Sequence, residues 1–230
     1  MKTVGIIGGI GPQSTIEYYR KIVSSYLERE ATRHYPQIII NSIDMTKMLD
    51  LISNDEFEEV SRYLVSEVKK LESAGAEFGV LASNTPHIVF DKVRELSQLP
   101  LISIVEATCK NILDIGLEKV ALFGTKFTVQ GGFYSEVLSR SGIEVITPDE
   151  VDQHFIHEKY MDELVKGIIL DETRADLISV IEKMKQKYNI QGLILGGTEL
   201  PLILKLDNIS GVHVFDTTEI HVESIMEILR

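Results

Sequence analysis

The segment Gly192-Leu-Ile-Leu-Gly-Gly-Thr-Glu-Leu-Pro201 decides the fold, and Gly79-Val-Leu-Ala-Ser-Asn-Thr-Pro-His87 repeats its pattern. Each begins as an apolar run without polar alternation, which is typical of a strand covered on both faces in a parallel sheet. Each run ends at small and polar residues that favour the cap and first turn of a helix. We call residues 83–86 the first elbow and residues 196–199 the second elbow. Because strand ends that lead into helix N-termini bind small anions in open α/β sheets, the pair predicts one ligand site built from two halves.

The composition is that of a globular protein. Of the 230 residues, 44% are hydrophobic and 25% are charged, which allows a buried core in one large domain or two small ones. The formal net charge of -12 argues against a nucleic-acid partner, because binding phosphates needs a basic patch. No apolar run has the length of a membrane span, and Met1 leads into a strand rather than into a signal peptide. A single cysteine permits no internal disulfide, which favours a cytoplasmic location.

Strands and helices are predicted to alternate along the chain. The predicted strands are Lys2–Gly8, Gln37–Ser42, Val80–Ala82, Leu101–Ile104, Lys119–Phe123, Ile143–Ile146, Leu193–Leu195 and Val212–Phe215. The predicted helices are Gln13–Glu30, Ser53–Gly75, Pro86–Glu95, Val105–Ile115, Thr128–Ser141, one containing His154 and His157, one containing Leu177 and Met184, and Thr217–Leu229. The alternation indicates an α/β fold in which parallel sheets are flanked by helices.

Local signals predict where some helices begin and what they bury. Ser53 with Glu56 resembles a capping box, and Thr173 with Asp176 is predicted to cap the helix that contains Leu177. The first helix is predicted to bury a stripe formed by Ile16, Tyr19, Ile22, Val23 and Tyr26. Cys109 lies at helical spacing with other apolar residues, so it is predicted to be a small core residue rather than a reactive thiol.

The glycine loop after the first strand, Gly8-Gly-Ile-Gly-Pro12, is not a dinucleotide fingerprint. That fingerprint needs a third glycine near the positions of Gln13 and Ser14, so nucleotide binding is disfavoured. The backbone N–H groups of this loop are predicted to bind a carboxylate instead.

An internal repeat divides the chain. Val4-Gly-Ile-Ile-Gly8 matches Val120-Ala-Leu-Phe-Gly124, and Gly79–Ala82 matches Gly192–Leu195. Each elbow alone is ordinary for a loop and a helix cap. The presence of two matching elbows is what favours a ligand site. The repeat predicts two pseudo-symmetric lobes.

The predicted lobes are residues 1–104 with 216–230, and residues 105–215. No polar linker separates them, so close packing is expected, with the site in a cleft between the lobes. Ser83 and Gly197 are predicted to face each other across that cleft.

Five motifs make the chain resemble the aspartate/glutamate racemase family. They are Gly8-Gly-Ile-Gly-Pro12 with Thr15, Ser83-Asn-Thr-Pro-His87, Leu122-Phe-Gly-Thr125, Gly196-Gly-Thr-Glu199 and Phe215-Asp-Thr217. They follow the family's order and spacing over essentially the whole chain. The resemblance implies two similar α/β lobes, a homodimer, and inversion of acidic amino acids without a cofactor. It also implies that a cysteine from each lobe acts on opposite faces of the substrate's Cα.

Both of those cysteines are absent from this chain. The family motifs read Cys-Asn-Thr and Gly-Cys-Thr-Glu, and the matching positions here are Ser83 and Gly197. One group must remove the Cα proton while the other returns a proton from the opposite face, and thiols suit both roles. A seryl hydroxyl can relay a proton, but its alkoxide is too basic to remove a Cα proton unaided, and glycine has no side chain. Racemisation is therefore predicted to be impaired.

Several explanations and functions remain open. The chain is a natural homologue that has lost racemisation, a variant with an emptied site, or an enzyme that uses Glu199, Lys166 or His221 instead. The leading function is an amino-acid racemase of the aspartate/glutamate type. The alternatives are a non-catalytic binding protein for a dicarboxylic amino acid and, less favoured, a decarboxylase or isomerase on the same scaffold.

The resemblance also implies which residues contact the substrate. Asn84, Thr85 and Thr198 match residues that hold the α-carboxylate and the amine, and Thr125 matches a position in the corresponding loop of the second lobe. Lys166 falls where aspartate-specific members place a lysine, but their arginine after the second strand is absent, which resembles the broader aspartate/glutamate branch. The predicted substrate-binding residues are Gly9, Ile10, Gly11, Asn84, Thr85, Thr125, Lys166, Thr198 and Glu199.

The histidines receive other roles. His87 and His221 are predicted to orient their neighbours rather than to act as bases. His154 and His157 lie three residues apart on a helix, but no carboxylate or cysteine set completes a metal site around them. Exposure to solvent is therefore predicted for this pair.

Overall fold

The apolar runs form parallel strands flanked by helices in a computed structural model, which describes residues 2–29, 34–205 and 207–229. The strands are Thr3–Gly8 (β1), Gln37–Ser42 (β2), Phe78–Leu81 (β3), Leu101–Ile102 (β4), Lys119–Gly124 (β5), Glu144–Ile146 (β6), Gly192–Gly196 (β7), Asn208–Ile209 (β8) and Val212–Asp216 (β9). The helices are Pro12–Arg29 (α1), Met45–Ser53 (α2), Phe57–Ser73 (α3), Phe90–Leu96 (α4), Ile104–Ile115 (α5), Lys126–Gln130 (α6), Phe133–Ser139 (α7), Glu150–Asp162 (α8), Asp171–Tyr188 (α9), Leu200–Ile203 (α10) and Thr217–Leu229 (α11). Two 3-10 turns, Thr85–Val89 and Leu164–Lys166, complete the regular structure of the described residues. The predicted α/β class is confirmed.

The first unit comprises the chain up to Ile104 together with the segment from His221 onward. Its sheet has the order β2-β1-β3-β4, and every pairing is parallel. Tyr18 and Ile22 of α1 and Ile225 of α11 join one hydrophobic cluster with the strands, and α3 buries its own apolar stripe. The strands β1 and β3 therefore lie in the interior and end side by side.

The second unit comprises Val105–Ile220. Its sheet has the order β6-β5-β7-β9-β8, in which only the short β8 runs antiparallel to its neighbour. One hydrophobic cluster joins Phe123 and Leu195 of the central strands with Tyr160 of α8 and Ile181 of α9. The strands β5 and β7 are registered so that Gly124 pairs with Gly196.

The internal repeat appears as a shared topology. In each unit the first strand pairs with both the second and the third, and a fourth parallel strand follows. The repeated segments of the sequence are β1 and β5, and β3 and β7. Apolar strands in the centre of a parallel sheet explain why the repeat is clearest at these four segments.

Two predicted helix starts are wrong. Ser53 is the last residue of α2, a helix that the sequence did not predict, and Asp44 caps that helix by accepting hydrogen bonds from the N–H groups of Thr46 and Lys47 at 2.9 and 3.2 Å. Thr173 lies inside α9 instead of capping it, and its hydroxyl donates to Glu163 Oε2 at 2.6 Å. The Thr173 hydroxyl, at a plausible cap position, thus has another role in the fold, whereas Ser53 is exposed at the end of α2.

The single helix predicted at Thr128–Ser141 is divided into α6 and α7. Gly132, which has a φ of 74°, separates the two segments. Positive φ is readily available to glycine and interrupts a right-handed helix. The predicted helix from Pro86 is divided as well, since the 3-10 turn Thr85–Val89 precedes α4.

The buried face of α1 differs from the predicted stripe. The helix buries Ser14, Tyr18, Ile22 and Tyr26, which recur at every fourth position. Ile16 and Tyr19 are instead 56% and 51% exposed. Cys109 is buried on α5, as predicted. None of the helices in the described part of the chain is long and apolar enough to cross a membrane.

Candidate functional site

The first elbow follows β3 in the first unit and is buried. Ser83, Asn84 and Thr85 each expose less than a tenth of their surface. The Ala82 N–H donates to Ile7 of β1 at 2.9 Å, and the Ala82 carbonyl accepts a hydrogen bond from Ser14 Oγ at 2.7 Å. The elbow is therefore fixed both to the neighbouring strand and to the first turn of α1.

His87 orders the backbone of the first elbow. Its Nε2 accepts a hydrogen bond from the N–H of Ile104 at 3.2 Å, so Nδ1 carries the proton and donates to the Ser83 carbonyl at 3.0 Å. Burial, with a smaller contribution from the nearby His221, lowers the pKa of His87 to about 3. The ring is neutral near pH 7, and both of its nitrogens are used within the protein.

His221 has a similar role on α11. Its Nε2 lies 3.1 Å from the carbonyl oxygen of Ile102, which requires an N–H there, and its Nδ1 accepts from the Tyr18 hydroxyl at 2.8 Å. Burial lowers the pKa of His221 to about 4. With both nitrogens occupied, the imidazole links α1, α11 and the end of β4 and offers no lone pair to a substrate.

The glycine loop after β1 lies at the same edge of the sheet as the first elbow. Gly9 has a φ of 83°, and a Cβ at this position would approach the carbonyl oxygen of Ile43 to 2.5 Å, so only glycine fits. The N–H of Gly9, predicted to bind a carboxylate, already donates to Thr15 Oγ1 at 2.8 Å. Ile10 is buried and Gly11 is partly exposed, with its carbonyl facing the N–H of Thr15 at 3.4 Å.

The second elbow follows β7 in the second unit. Thr198 and Glu199 are 8% and 3% exposed, and Glu199 immediately precedes α10. The hydroxyl of Thr198 donates to Glu199 Oε2 at 2.8 Å. The Tyr160 hydroxyl, from α8, donates to the same oxygen. This elbow therefore presents a buried carboxylate held by two hydroxyl groups.

Tyr160 occupies the space beside Gly197. A Cβ built on Gly197 would lie 3.0 Å from Cζ and 3.1 Å from the hydroxyl oxygen of Tyr160, and closer still to Cε2. A side chain at position 197 is thus incompatible with the ring where it stands. Burial, followed by the adjacent Glu199 carboxylate, raises the pKa of Tyr160 well above its usual value, so the phenol stays protonated.

Two other predicted contacts belong to the second unit. Thr125 directly follows β5, beside the second elbow, and caps α6, because its Oγ1 accepts from the N–H of Thr128 at 3.3 Å. Lys166 lies in the 3-10 turn that packs against α10. Its ammonium pairs with Asp162 at 3.0 Å, and its side chain is 57% exposed. The exposure predicted for the α8 histidines is correct for His154, whose side chain is 72% exposed and lies 3.2 Å from Glu158. It is wrong for His157, which is only partly exposed and whose Nδ1 accepts a hydrogen bond from the N–H of Lys126 at 3.3 Å.

The structure thus groups the predicted residues within each unit. Gly9–Gly11 and the first elbow lie at the carboxyl ends of neighbouring strands in one unit, and Thr125 and the second elbow do so in the other. Sequence reasoning missed Tyr160 and Ser14. The one signal that could have pointed to Tyr160 is Gly197 itself, since a missing side chain in a packed interior must be compensated by another group.

Comparison with known proteins finds relatives along most of the chain. A family model described as Asp/Glu/hydantoin racemase matches residues 7–225. The broad specificity amino-acid racemase RacX of Bacillus subtilis (strain 168) is 30% identical over 154 residues, which are 65% of this chain and 66% of RacX. The aligned part therefore spans slightly less than two thirds of that curated relative.

Solved structures match over the full length. A crystal structure of a Yersinia pestis protein aligns with a TM-score of 0.90 and 35% identity, covering 100% of this chain and 99% of the other. An aspartate racemase homologue from Pyrococcus horikoshii OT3 aligns with a TM-score of 0.86 and 37% identity, at the same coverage.

Proposed function

Because the chain belongs to the Asp/Glu/hydantoin racemase family, we propose that it is a racemase-like protein that binds aspartate or glutamate and transfers protons at Cα poorly. The family and its named relatives are amino-acid racemases, which are isomerases. Both elbows are proposed to contribute to substrate binding, through Asn84 and Thr85 in one unit and Thr198 and Glu199 in the other. Ile10, Gly11, Thr125 and Lys166 complete the proposed set, whereas the N–H of Gly9 is already used by Thr15.

The observation that supports impaired proton transfer is the packing at Gly197. The position that matches a family cysteine has no side chain, and the Tyr160 ring fills the adjacent space. The phenol has a raised pKa, so it is a poor base near neutral pH. At the first elbow Ser83 is also a poor base, because its alkoxide is too basic to form unaided. Neither Ser83 nor Gly197 therefore supplies a group that suits removal of a Cα proton.

Binding of an acidic amino acid is tested by calorimetry. We expect aspartate or glutamate to bind and to raise the thermal midpoint at millimolar concentration by mass action. Exchange of the Cα hydrogen in D2O, followed on separated enantiomers, then measures catalysis independently of binding. Absence of binding by either amino acid, or binding of nucleotides only, would contradict the proposal.

A non-catalytic binding protein is the second candidate. The same packing at Gly197 favours it, because a closed second elbow leaves a binding surface without a proton donor at position 197. Ligand binding without any Cα exchange would support this candidate. Slow exchange above the background of a boiled sample would support the impaired racemase.

We further propose a homodimer in the cytoplasm. Ile16, Tyr19 and Leu27 are exposed along α1, and Ile40 is exposed on the edge strand β2. Exposed apolar residues clustered on one element favour a protein–protein interface. The cytoplasmic location rests on the single cysteine, which forms no internal disulfide.

A further inference from the structure

Among the described residues, the Glu199 carboxylate is a buried acid without a cationic partner. The residue is 3% exposed, and its two hydrogen-bond donors, Tyr160 and Thr198, are neutral hydroxyl groups. Among the residues that the structure describes, no Lys, Arg or His forms an ion pair with it. Buried carboxylates in proteins are usually paired with a positive charge, because removal from water is otherwise unfavourable.

The two hydroxyl groups leave one side of this carboxylate available. Both donate to Oε2, and Oε1 has no hydrogen-bond partner among the described residues. Among the described residues, the side-chain oxygens of Ser97 and Thr218 are fully enclosed and have no hydrogen-bond partner. Glu199 Oε1 is not one of these atoms, so it is not fully enclosed. A carboxylate oxygen that remains accessible can accept a further, charge-assisted hydrogen bond.

The chemistry of this oxygen selects one part of an amino-acid ligand. A carboxylate repels the α-carboxylate and the side-chain carboxylate of aspartate or glutamate, but it attracts the α-ammonium group. We propose that Glu199 Oε1 binds the α-ammonium group of the substrate and that Tyr160 is a positioning residue for Glu199. The inference rests on the proposed function and adds the group that recognises the amine.

Gly197 is part of the same arrangement. The Tyr160 hydroxyl reaches Glu199 because its ring lies where a side chain at position 197 would stand. The Tyr160 ring therefore takes the space of a side chain at 197 and places its hydroxyl on Glu199. A cysteine at 197 and the present ring position exclude each other.

The test compares two ligands that differ in the amine. Dissociation constants for L-aspartate and for succinate, which has the same two carboxylates without the amine, are measured by calorimetry. We expect the parent protein to bind aspartate at least about tenfold more tightly, as a hydrogen bond between charged groups allows. Glu199→Gln should weaken aspartate binding by about tenfold and leave succinate binding unchanged. Tyr160→Phe should also reduce the preference for aspartate over succinate, by a smaller factor.

Glu158→Gln is the matched control. Glu158 lies on α8 with its side chain 59% exposed and pairs with His154 at the surface. Its replacement should leave both dissociation constants at the parent values. Circular dichroism and thermal midpoints show whether each variant is folded, and Tyr160→Phe tests the proposal should Glu199→Gln unfold.

The outcomes separate this inference from the proposed function. A parent that binds succinate as tightly as aspartate overturns the inference and leaves dicarboxylate binding intact. An equal loss for both ligands in Glu199→Gln also overturns it, because the residue would then support the fold rather than recognise an amine. A parent that binds neither ligand overturns the proposed function and the inference together.

Discussion

The ring of Tyr160 lies against Gly197, and this contact determines which substitutions the second elbow accepts. Adding a side chain to a filled interior forces neighbours out of their preferred rotamers and destabilises by about 1–3 kcal/mol. We therefore expect Gly197→Cys alone to lower the free energy of unfolding by about that amount and to restore no Cα exchange. Urea unfolding of the parent and the variant measures the loss.

The contact between Tyr160 and Gly197 also predicts which second substitution relieves the loss of stability. Tyr160→Ala removes the ring, so Gly197→Cys should destabilise that background less than it destabilises the parent. Tyr160→Phe keeps the ring and serves as the matched control, in which the full loss should remain. Equal losses in all three backgrounds would show that the ring does not occupy the space of a side chain at 197.

Two buried histidines are predicted to make stability depend on pH. Burial lowers the pKa of His87 to about 3 and that of His221 to about 4, whereas an unfolded histidine titrates near about 6.5. The unfolded chain therefore binds more protons below about pH 6.5, and stability falls as the pH falls towards the folded values. The expected slope approaches about 1.4 kcal/mol per pH unit for each histidine.

Urea unfolding at about pH 7, 6 and 5 checks this slope. His221→Gln removes one titrating ring while keeping a donor for the Ile102 carbonyl, so its slope should be smaller than that of the parent. Parallel curves for the two proteins would show that His221 does not titrate on unfolding.

At the residue scale, the sequence predicted small side chains at the two elbows but not the Tyr160 ring that packs against Gly197. Ser83 and Gly197 were identifiable because they stand inside motifs of fixed spacing. Tyr160 was not, since it reaches the second elbow from α8 through tertiary packing, and a contact of that kind has no periodic signal. Likewise, a glycine loop predicts that the N–H of Gly9 is available to a ligand. Its hydrogen bond to Thr15 Oγ1 could not be predicted, because it depends on how α1 begins.

Helix caps give a prediction at the scale of elements. Asp44 accepts two backbone hydrogen bonds at the start of α2, so Asp44→Ala should lower the free energy of unfolding by about 1 kcal/mol. Asp44→Asn should retain most of the stability. Asp50→Ala, an exposed position within the same helix, is the control and should cause no loss. A loss as large in Asp50→Ala would show that Asp44 does not act through the cap.

Elements of different kinds were predictable to different degrees. The strands β1, β2, β5 and β7 follow uninterrupted apolar runs, and their predicted positions agree closely with the structure. The helix α2 was missed because it is only nine residues long and its two buried residues, Met48 and Ile52, form a single helical repeat. The face that α1 buries was assigned incorrectly because Ile16 and Tyr19 are apolar yet exposed. Ser14 is polar yet buried, and its hydroxyl donates a hydrogen bond to the Ala82 carbonyl.

The exposed apolar residues give a prediction for the whole molecule. Sedimentation equilibrium should report twice the 25.9 kDa of one chain, because the proposed homodimer buries the apolar side chains of α1. Replacing Ile16 and Tyr19 together by lysine should yield monomers. Val151→Lys, which changes a residue 78% exposed on α8, should leave the dimer intact. A monomeric parent at all concentrations would contradict the proposal.

The central claim is that a racemase-family fold binds an acidic amino acid here without efficient proton transfer at Cα. Loss of a positioned acid or base typically lowers a rate by about 10²–10⁴, and Ser83 and Gly197 stand where the family resemblance implies two thiols. The most direct measurement is deuterium incorporation at Cα of L- and D-aspartate and of L- and D-glutamate in D2O, with the parent protein under conditions where binding is saturated. The account predicts bound ligand with exchange at or near background for every enantiomer. Rapid exchange with interconversion of the enantiomers would contradict it, and would require a base that neither Ser83 nor Gly197 provides.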